Sequence, residues 1–325
     1  MRIVMMGTGR FAVPTFEALL ESTHQIVGLV TSPDRPKGQE RGSTKQVGQS
    51  MKDIALERGL PVFQPESINT PEGVAGLCAW QPELLVVAAY GQILSRDVLA
   101  VPPHGGINVH GSLLPKYRGA APINWAIYHG ETRTGVTIIR MSVRMDAGDM
   151  LAQEAMDIGP DETAGDVEAR LAPLGAKLAL QVIEQIESGT THGIQQDKAL
   201  VTKAPKLTKD HGLIDWSRTA AQVCCQVRAM QPWPTAYTFL HQEGRAPLRV
   251  IVYRAGPAAR QNIVTETLPV GHITVQDEKL FVGAGGDTLV NILELQPSGK
   301  RRMSASDFLH GHPLSAGAYF GPESV

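Results

Sequence analysis

Arg2-Ile-Val-Met-Met-Gly7-Thr-Gly9-Arg-Phe11-Ala12 opens the chain, and Val13 to Leu20 leads on to Gln25-Ile-Val-Gly-Leu-Val-Thr31. Arg2 to Met6 is a short apolar run suited to a buried strand. Phe11 to Leu20 has apolar residues at helical spacing, and Gln25 to Thr31 is a second β-rich run. Strand, helix and strand within about thirty residues begin a doubly wound sheet, so the first part of the chain is read as α/β. Gly7, Gly9 and Ala12 also fit the G-x-G-x-x-A dinucleotide fingerprint. The second strand, however, ends in Thr31-Ser-Pro-Asp34-Arg-Pro, a proline-broken turn, where that fingerprint needs an acid placed for a ribose. No NAD site is expected.

Further along, Thr70-Pro71-Glu72 is a helix start, a capping threonine followed by proline at the first helical position. Leu84 to Ala89 is an unbroken apolar run of the kind found in central parallel strands, followed by Tyr90-Gly91-Gln92-Ile93-Leu94. In Gly106-Ile-Asn108-Val-His110, period-2 alternation puts Asn108 and His110 on one side of a strand, roughly 7 Å apart. Gly111 and Pro115 end that strand in a loop, and strand ends are where open α/β sheets place their chemistry. An amide beside an imidazole suits oxyanion stabilisation, and the imidazole also suits proton transfer. By spacing alone the pair could equally satisfy loop backbone. A helix near Ala121 to His129, a strand Gly135 to Arg140 and a loop with Asp146 and Asp149 come next. Then follow a strand Met150 to Asp157 and an amphipathic helix from Thr163 to Ser188, stopped by Gly189.

Thr191 to Asp210 lacks periodicity and carries Lys198, Lys203, Lys206 and Lys209, which reads as a positively charged linker. Beyond it lie a helix near Thr219 to Met230, the turn Pro232-Trp233-Pro234, and short strands over 236–240, 248–253, 271–275, 280–283 and 289–296. Short strands with turns between them suggest a small β-barrel. The expected domains are 1–190, a linker 191–209, and 210–325.

Composition narrows the partners. The chain has 325 residues, 42% hydrophobic and 19% charged, with 30 basic and 32 acidic residues for a net charge of −2. No global basic field announces a nucleic acid, although from Lys206 onward 12 basic residues face 10 acidic ones. The polar stretch from Ser32 to Ser50 is either a solvated loop or a basic one able to grip phosphate. Its cations are Arg35, Lys37, Arg41 and Lys45. Three cysteines, Cys78, Cys224 and Cys225, have neither metal nor disulfide spacing. No apolar run approaches the ~18 residues of a membrane span, and the start reads as a strand rather than a signal peptide. The expectation is a cytoplasmic monomer without metal.

The motifs Asn108-Val-His110-Gly-Ser112-Leu-Leu-Pro115-Lys-Tyr-Arg118-Gly-Ala-Ala-Pro122, Gly135-Val-Thr-Ile and Met145-Asp146-Ala-Gly148-Asp149-Met150 resemble the methionyl-tRNA formyltransferases, within the wider folate-dependent formyltransferases. Leu295-Gln-Pro-Ser-Gly-Lys300-Arg-Arg-Met-Ser304-Ala resembles the family's C-terminal domain. Gly9 stands where the family usually has proline, so the dinucleotide fingerprint reads as a product of that one glycine. The resemblance implies a Rossmann-like N-terminal domain and an OB-like C-terminal barrel. It implies formyl transfer from 10-formyltetrahydrofolate to the amine of methionyl initiator tRNA, without metal or NAD. The implied catalytic residues are Asn108, His110 and Asp146. Folate contacts are implied for Ser112, Leu113, Leu114 and Pro115 and for the segment Gln92, Ile93 and Leu94. The candidates for tRNA contact are Arg35, Lys37, Arg41 and Lys45 in the basic loop, with Arg41 preferred, and Lys206, Lys209, Lys300, Arg301 and Arg302.

Amine attack on a formyl carbon needs donors for the oxyanion and a proton acceptor, but no covalent intermediate. Ser112 lacks the G-x-S-x-G elbow of acyl-serine enzymes. A formyltransferase for a small amine, or a formyl-folate hydrolase, would keep Asn108, His110 and Asp146. An RNA-binding module built on the barrel would leave those three unexplained.

Overall fold

The computed structural model describes residues 1–34, 50–259 and 268–324. They form two compact units, one of residues 1–123, 133–158 and 166–206, the other of residues 124–132, 159–165 and 207–325.

The first unit begins with β1 (Arg2–Gly7), α1 (Val13–Leu20) and β2 (Gln25–Val30), the βαβ opening expected from the sequence. Then come α2 (Met51–Glu57), β3 (Val62–Phe63), α3 (Pro71–Ala79), β4 (Leu84–Ala88), α4 (Arg96–Ala100) and β5 (Gly106–His110). Side chains start these helices. Thr70 Oγ1 accepts from Gly73 N at 3.1 Å to cap α3, and Ser50 and Asp53 form a reciprocal capping box on α2. After β5 the chain forms β6 (Arg118–Gly119), α5 (Pro122–Tyr128, from residue 124 onward part of the second unit), β7 (Arg133–Arg140), β8 (Met150–Asp157), α6 (Ala164–Glu187) and β9 (Lys203–Ala204).

The main sheet has strand order β3-β2-β1-β4-β5-β7-β8. The first five strands pair parallel, whereas β7 and β8 are an antiparallel edge. Strand order reverses between β1 and β4. All five residues of β4 are buried, as its unbroken apolar run requires of a central strand. On one side of the sheet Val4, Met6, Val30, Ile68, Leu77, Leu85, Val87 and Tyr90 make a continuous core. Burial pushes the Tyr90 phenol up to about 12. Helix α6 buries Val167, Leu171, Val182, Ile183 and Ile186, the apolar stripe of its amphipathic sequence. It packs closely on β5 and β7 at Gly175, where an added Cβ would lie 2.7 Å from Val109 Cγ1.

The second unit contains α7 (Ala220–Ala229), β10 (Ala236–His241), β11 (Leu248–Ala258), β12 (Ile273–Gln276), β13 (Lys279–Ala284), β14 (Thr288–Pro297), β15 (Met303–Ser304), α8 (Ala305–Gly311) and β16 (Tyr319–Gly321). Its strands make a curled antiparallel sheet of order β12-β13-β14-β11-β10-β16, with β15 beside β14. The bridge between His272 and Tyr319, with Phe320 N donating to Gly271 O at 2.8 Å, joins the two ends of the sheet. The short strands read from the sequence thus curl into a barrel-like layer. Trp216 stacks on Phe320 inside it and donates to Thr238 Oγ1 at 3.1 Å.

Candidate functional site

His110 is the last residue of β5, opposite Thr137 of β7. Val109 faces α6, so the alternating pattern turns Asn108 and His110 to the other side of the sheet. Asp146, from the loop joining β7 to β8, meets both. Asn108 Nδ2 lies 3.5 Å from Asp146 Oδ1, and His110 Nδ1 lies 3.7 Å from Oδ2. Gly119 N donates to Oδ2 at 2.8 Å. The carboxylate therefore sits among three donors, with 12% of its side chain exposed against 5% for His110. The other imidazole nitrogen, Nε2, donates to the carbonyl of Tyr117 at 3.0 Å. A ring protonated on both nitrogens has an acceptor facing each. Asn108 is half-buried and is the less committed donor of the pair.

The loop after β5 is held from behind. Ser112 is fully buried and its hydroxyl donates to Lys116 O at 2.7 Å, so it serves the loop's own backbone. Thr137 Oγ1 donates to Ser112 O at 2.6 Å and accepts from Leu114 N at 3.1 Å. Gln153 Nε2 donates to Leu114 O at 2.9 Å. Leu114 is buried, while Leu113 and Pro115 are half-buried. At the end of β4, the neighbour of β5, Gln92 is tied to the backbone of Ile68 and Glu66. Asn69 donates to Ile93 O at 2.8 Å; Leu94 is buried and the Ile93 side chain is 55% exposed. This leaves one apolar side chain open beside strand ends that carry an amide and an imidazole. That donor set fits a carbonyl oxygen that gains negative charge.

Of the basic candidates, Arg35, Lys37, Arg41 and Lys45 lie outside the described residues. Lys206 and Lys209 are exposed, as are Lys300 and Arg301. Arg302 is exposed too, but its guanidinium pairs with Glu294, Nε donating to Oε2 at 2.6 Å, and lies 4.6 Å from the centre of the Tyr253 ring. Arg254 holds the other oxygen of Glu294 at 3.0 Å. Burial raises the Glu294 carboxyl, but the two guanidinium bonds outweigh it and leave it below the usual range.

Sequence reasoning did not single out Gln196, Gly119 or Gln153. Thr137 left a visible signal, a polar residue inside the apolar run of β7, where it is fully buried. Gln196 left none, because it sits in the stretch without periodicity.

Residues 1–183 match the family described as Formyl transferase, and residues 206–313 match its C-terminal domain. The methionyl-tRNA formyltransferase of Geobacter sulfurreducens is 42% identical over 321 residues, covering 99% of this chain and 97% of that protein. That of Geobacter metallireducens is 43% identical over 319 residues, covering 98% of each. Among solved structures, the sugar 3N-formyl transferase WlaRD, obtained in the presence of dTDP and 5-N-formyl-THF, superposes with a TM-score of 0.65. The superposition covers 93% of this chain and 99% of that one at 16% identity, and shows a shared fold.

Proposed function

The chain belongs to the methionyl-tRNA formyltransferase family, and we propose that it moves a formyl group from 10-formyltetrahydrofolate to the amine of methionyl initiator tRNA using Asn108, His110 and Asp146. The observation that carries this reading is the meeting of the three side chains from segments 38 residues apart. The folate supplies the formyl carbon, held through N10, and the exposed Ile93 with the half-buried Leu113 and Pro115 is the surface offered to it, while Ser112 and Leu114 shape that loop from within.

Each residue then has a task set by its surroundings. Asn108, the less committed donor, gives a hydrogen bond to the carbonyl oxygen as it gains negative charge, a contact worth about 2.7–4 kcal/mol in the barrier. His110 adds a second donor once Nε2 turns from the Tyr117 carbonyl to the substrate, a rearrangement common when a site fills. Asp146 faces the imidazole Nδ1 and accepts the proton lost by the attacking amine. The tetrahedral intermediate then collapses as the carbon–N10 bond breaks, N10 takes up that proton, and tetrahydrofolate leaves. Asn108, His110 and Gly119 surround the carboxylate and fix its direction. Nothing in this scheme calls for a nucleophilic side chain, which agrees with the buried, bonded Ser112. All three groups come from one chain, so a monomer suffices, and charged tRNA places the work in the cytoplasm.

The acceptor is tested by following labelled formyl from 10-formyltetrahydrofolate to methionyl initiator tRNA, methionyl elongator tRNA and free methionine. Labelling of the initiator far above the other two is expected. Equal labelling of free methionine would remove tRNA from the function and leave a small-amine transferase.

A further inference from the structure

Asp146 is held by more than its carboxylate, and the segment from Ile194 to Ala204 does the holding. Ile194 and Met150 exchange two backbone hydrogen bonds, both 2.8 Å. Tyr117 N donates to Thr202 Oγ1 at 2.8 Å and Arg118 N to Thr202 O at 2.9 Å, before β9 pairs with β6. Between these anchors lies Gln196, 5% exposed. Its Oε1 accepts from Arg118 Nε at 3.0 Å and Nη2 at 2.8 Å. Its Nε2 donates to the carbonyls of Asp146 and Gly148, both at 2.8 Å.

These bonds act on a backbone that needs them. Asp146 has φ 48, the left-handed region that a residue with a side chain occupies only where its neighbours over-determine it. Gln196 clasps both ends of that turn and ties them to Arg118, the residue before Gly119, whose N–H binds the Asp146 carboxylate. An amide suits this position because it accepts from a guanidinium at one end while donating to two carbonyls at the other. A carboxylate would face two carbonyl oxygens, and a thioether would bond neither side.

We propose that Gln196 is a positioning residue that keeps the Asp146 carboxylate on Asn108 and His110 by clamping the turn that bears it. The inference rests on the assignment of Asp146 to the reaction, so its test separates the two. Single-turnover and steady-state formyl transfer is measured on the full-length wild type, Gln196→Met, Asp146→Ala and the double variant. Misplacing a reacting group by about 1 Å costs up to a hundredfold, so Gln196→Met is expected to lower kcat by roughly ten- to a hundredfold. KM for both substrates should stay within about twofold, since Gln196 is buried and its amide is taken up by Arg118, Asp146 and Gly148. Added to Asp146→Ala, the same change is expected to cost nothing further, because the residue it positions is gone. Gln196→Glu, nearly isosteric, should behave as Gln196→Met does and replaces it if the methionine variant does not fold. Wild-type turnover in these variants, or an equal loss in both backgrounds, would overturn the proposal while leaving Asp146 in place. Full turnover by Asp146→Ala alone would instead remove the reading on which it stands.

Discussion

At the scale of single residues, the site depends on two backbone positions with unusual demands. Asp146 occupies a left-handed conformation that costs of order 1–3 kcal/mol, offset by the bonds from Gln196 and Gly119. Gly119 has φ 133, and a Cβ there would sit 2.3 Å from the carbonyl oxygen of Ala204. That oxygen belongs to the backbone of β9 and cannot rotate aside. Gly119→Ala must therefore part β6 from β9 and withdraw the amide that reaches Asp146. The expected result is a loss of about 1–3 kcal/mol of stability in a urea melt together with at least roughly tenfold lower turnover. Unchanged turnover in a destabilised variant would show that this amide is not part of the working site.

At the scale of elements, β5 is held between a site on one face and α6 on the other. Gly175→Ala sets two effects against each other. Alanine gains about 1 kcal/mol of helix propensity, whereas overpacking costs typically 1–3 kcal/mol. The obstructing atom is a methyl of Val109, a branched side chain with little rotational freedom, so overpacking is expected to win. A net loss near 1 kcal/mol by urea melt is expected; a gain would mean that α6 moves freely away from β5. Much at this scale was legible in sequence, for physical reasons. The apolar runs of β1 and β4, the stripe of α6 and the capping of α3 are local patterns, and local patterns dictate these elements. The antiparallel edge β7–β8 was not legible, because pairing direction depends on a loop whose length fits more than one return. The alternation of Asn108 and His110 was readable, but their encounter with Asp146 came only from family resemblance. No spacing rule joins residues so far apart. Gln196 escaped because its role lies in four hydrogen bonds to distant segments, in a stretch whose own sequence shows no period.

At the scale of the whole molecule, a net charge of −2 means that any salt-dependent grip on tRNA must come from local clusters. Lys300 and Arg301 are exposed near the end of β14, while Arg302 is already spent on Glu294. Each phosphate contact contributes about 0.9 to the slope of log affinity against log salt on duplex nucleic acid. Replacing Lys300 and Arg301 together by alanine is therefore expected to flatten that slope for tRNA by roughly 1–2, and Arg302→Ala to change it little. A slope equal to wild type in the double variant would take this cluster out of the interface.

In the proposed reaction Asp146 joins Asn108 and His110 to run the transfer. The most direct measurement is the single-turnover rate of Asp146→Ala with saturating 10-formyltetrahydrofolate and methionyl initiator tRNA, on protein shown to be folded. A fall of at least roughly a hundredfold is expected, the scale of losing one charge-stabilising group from such a site. A rate within a few-fold of wild type would mean that the carboxylate between Asn108 and His110 has no part in the chemistry.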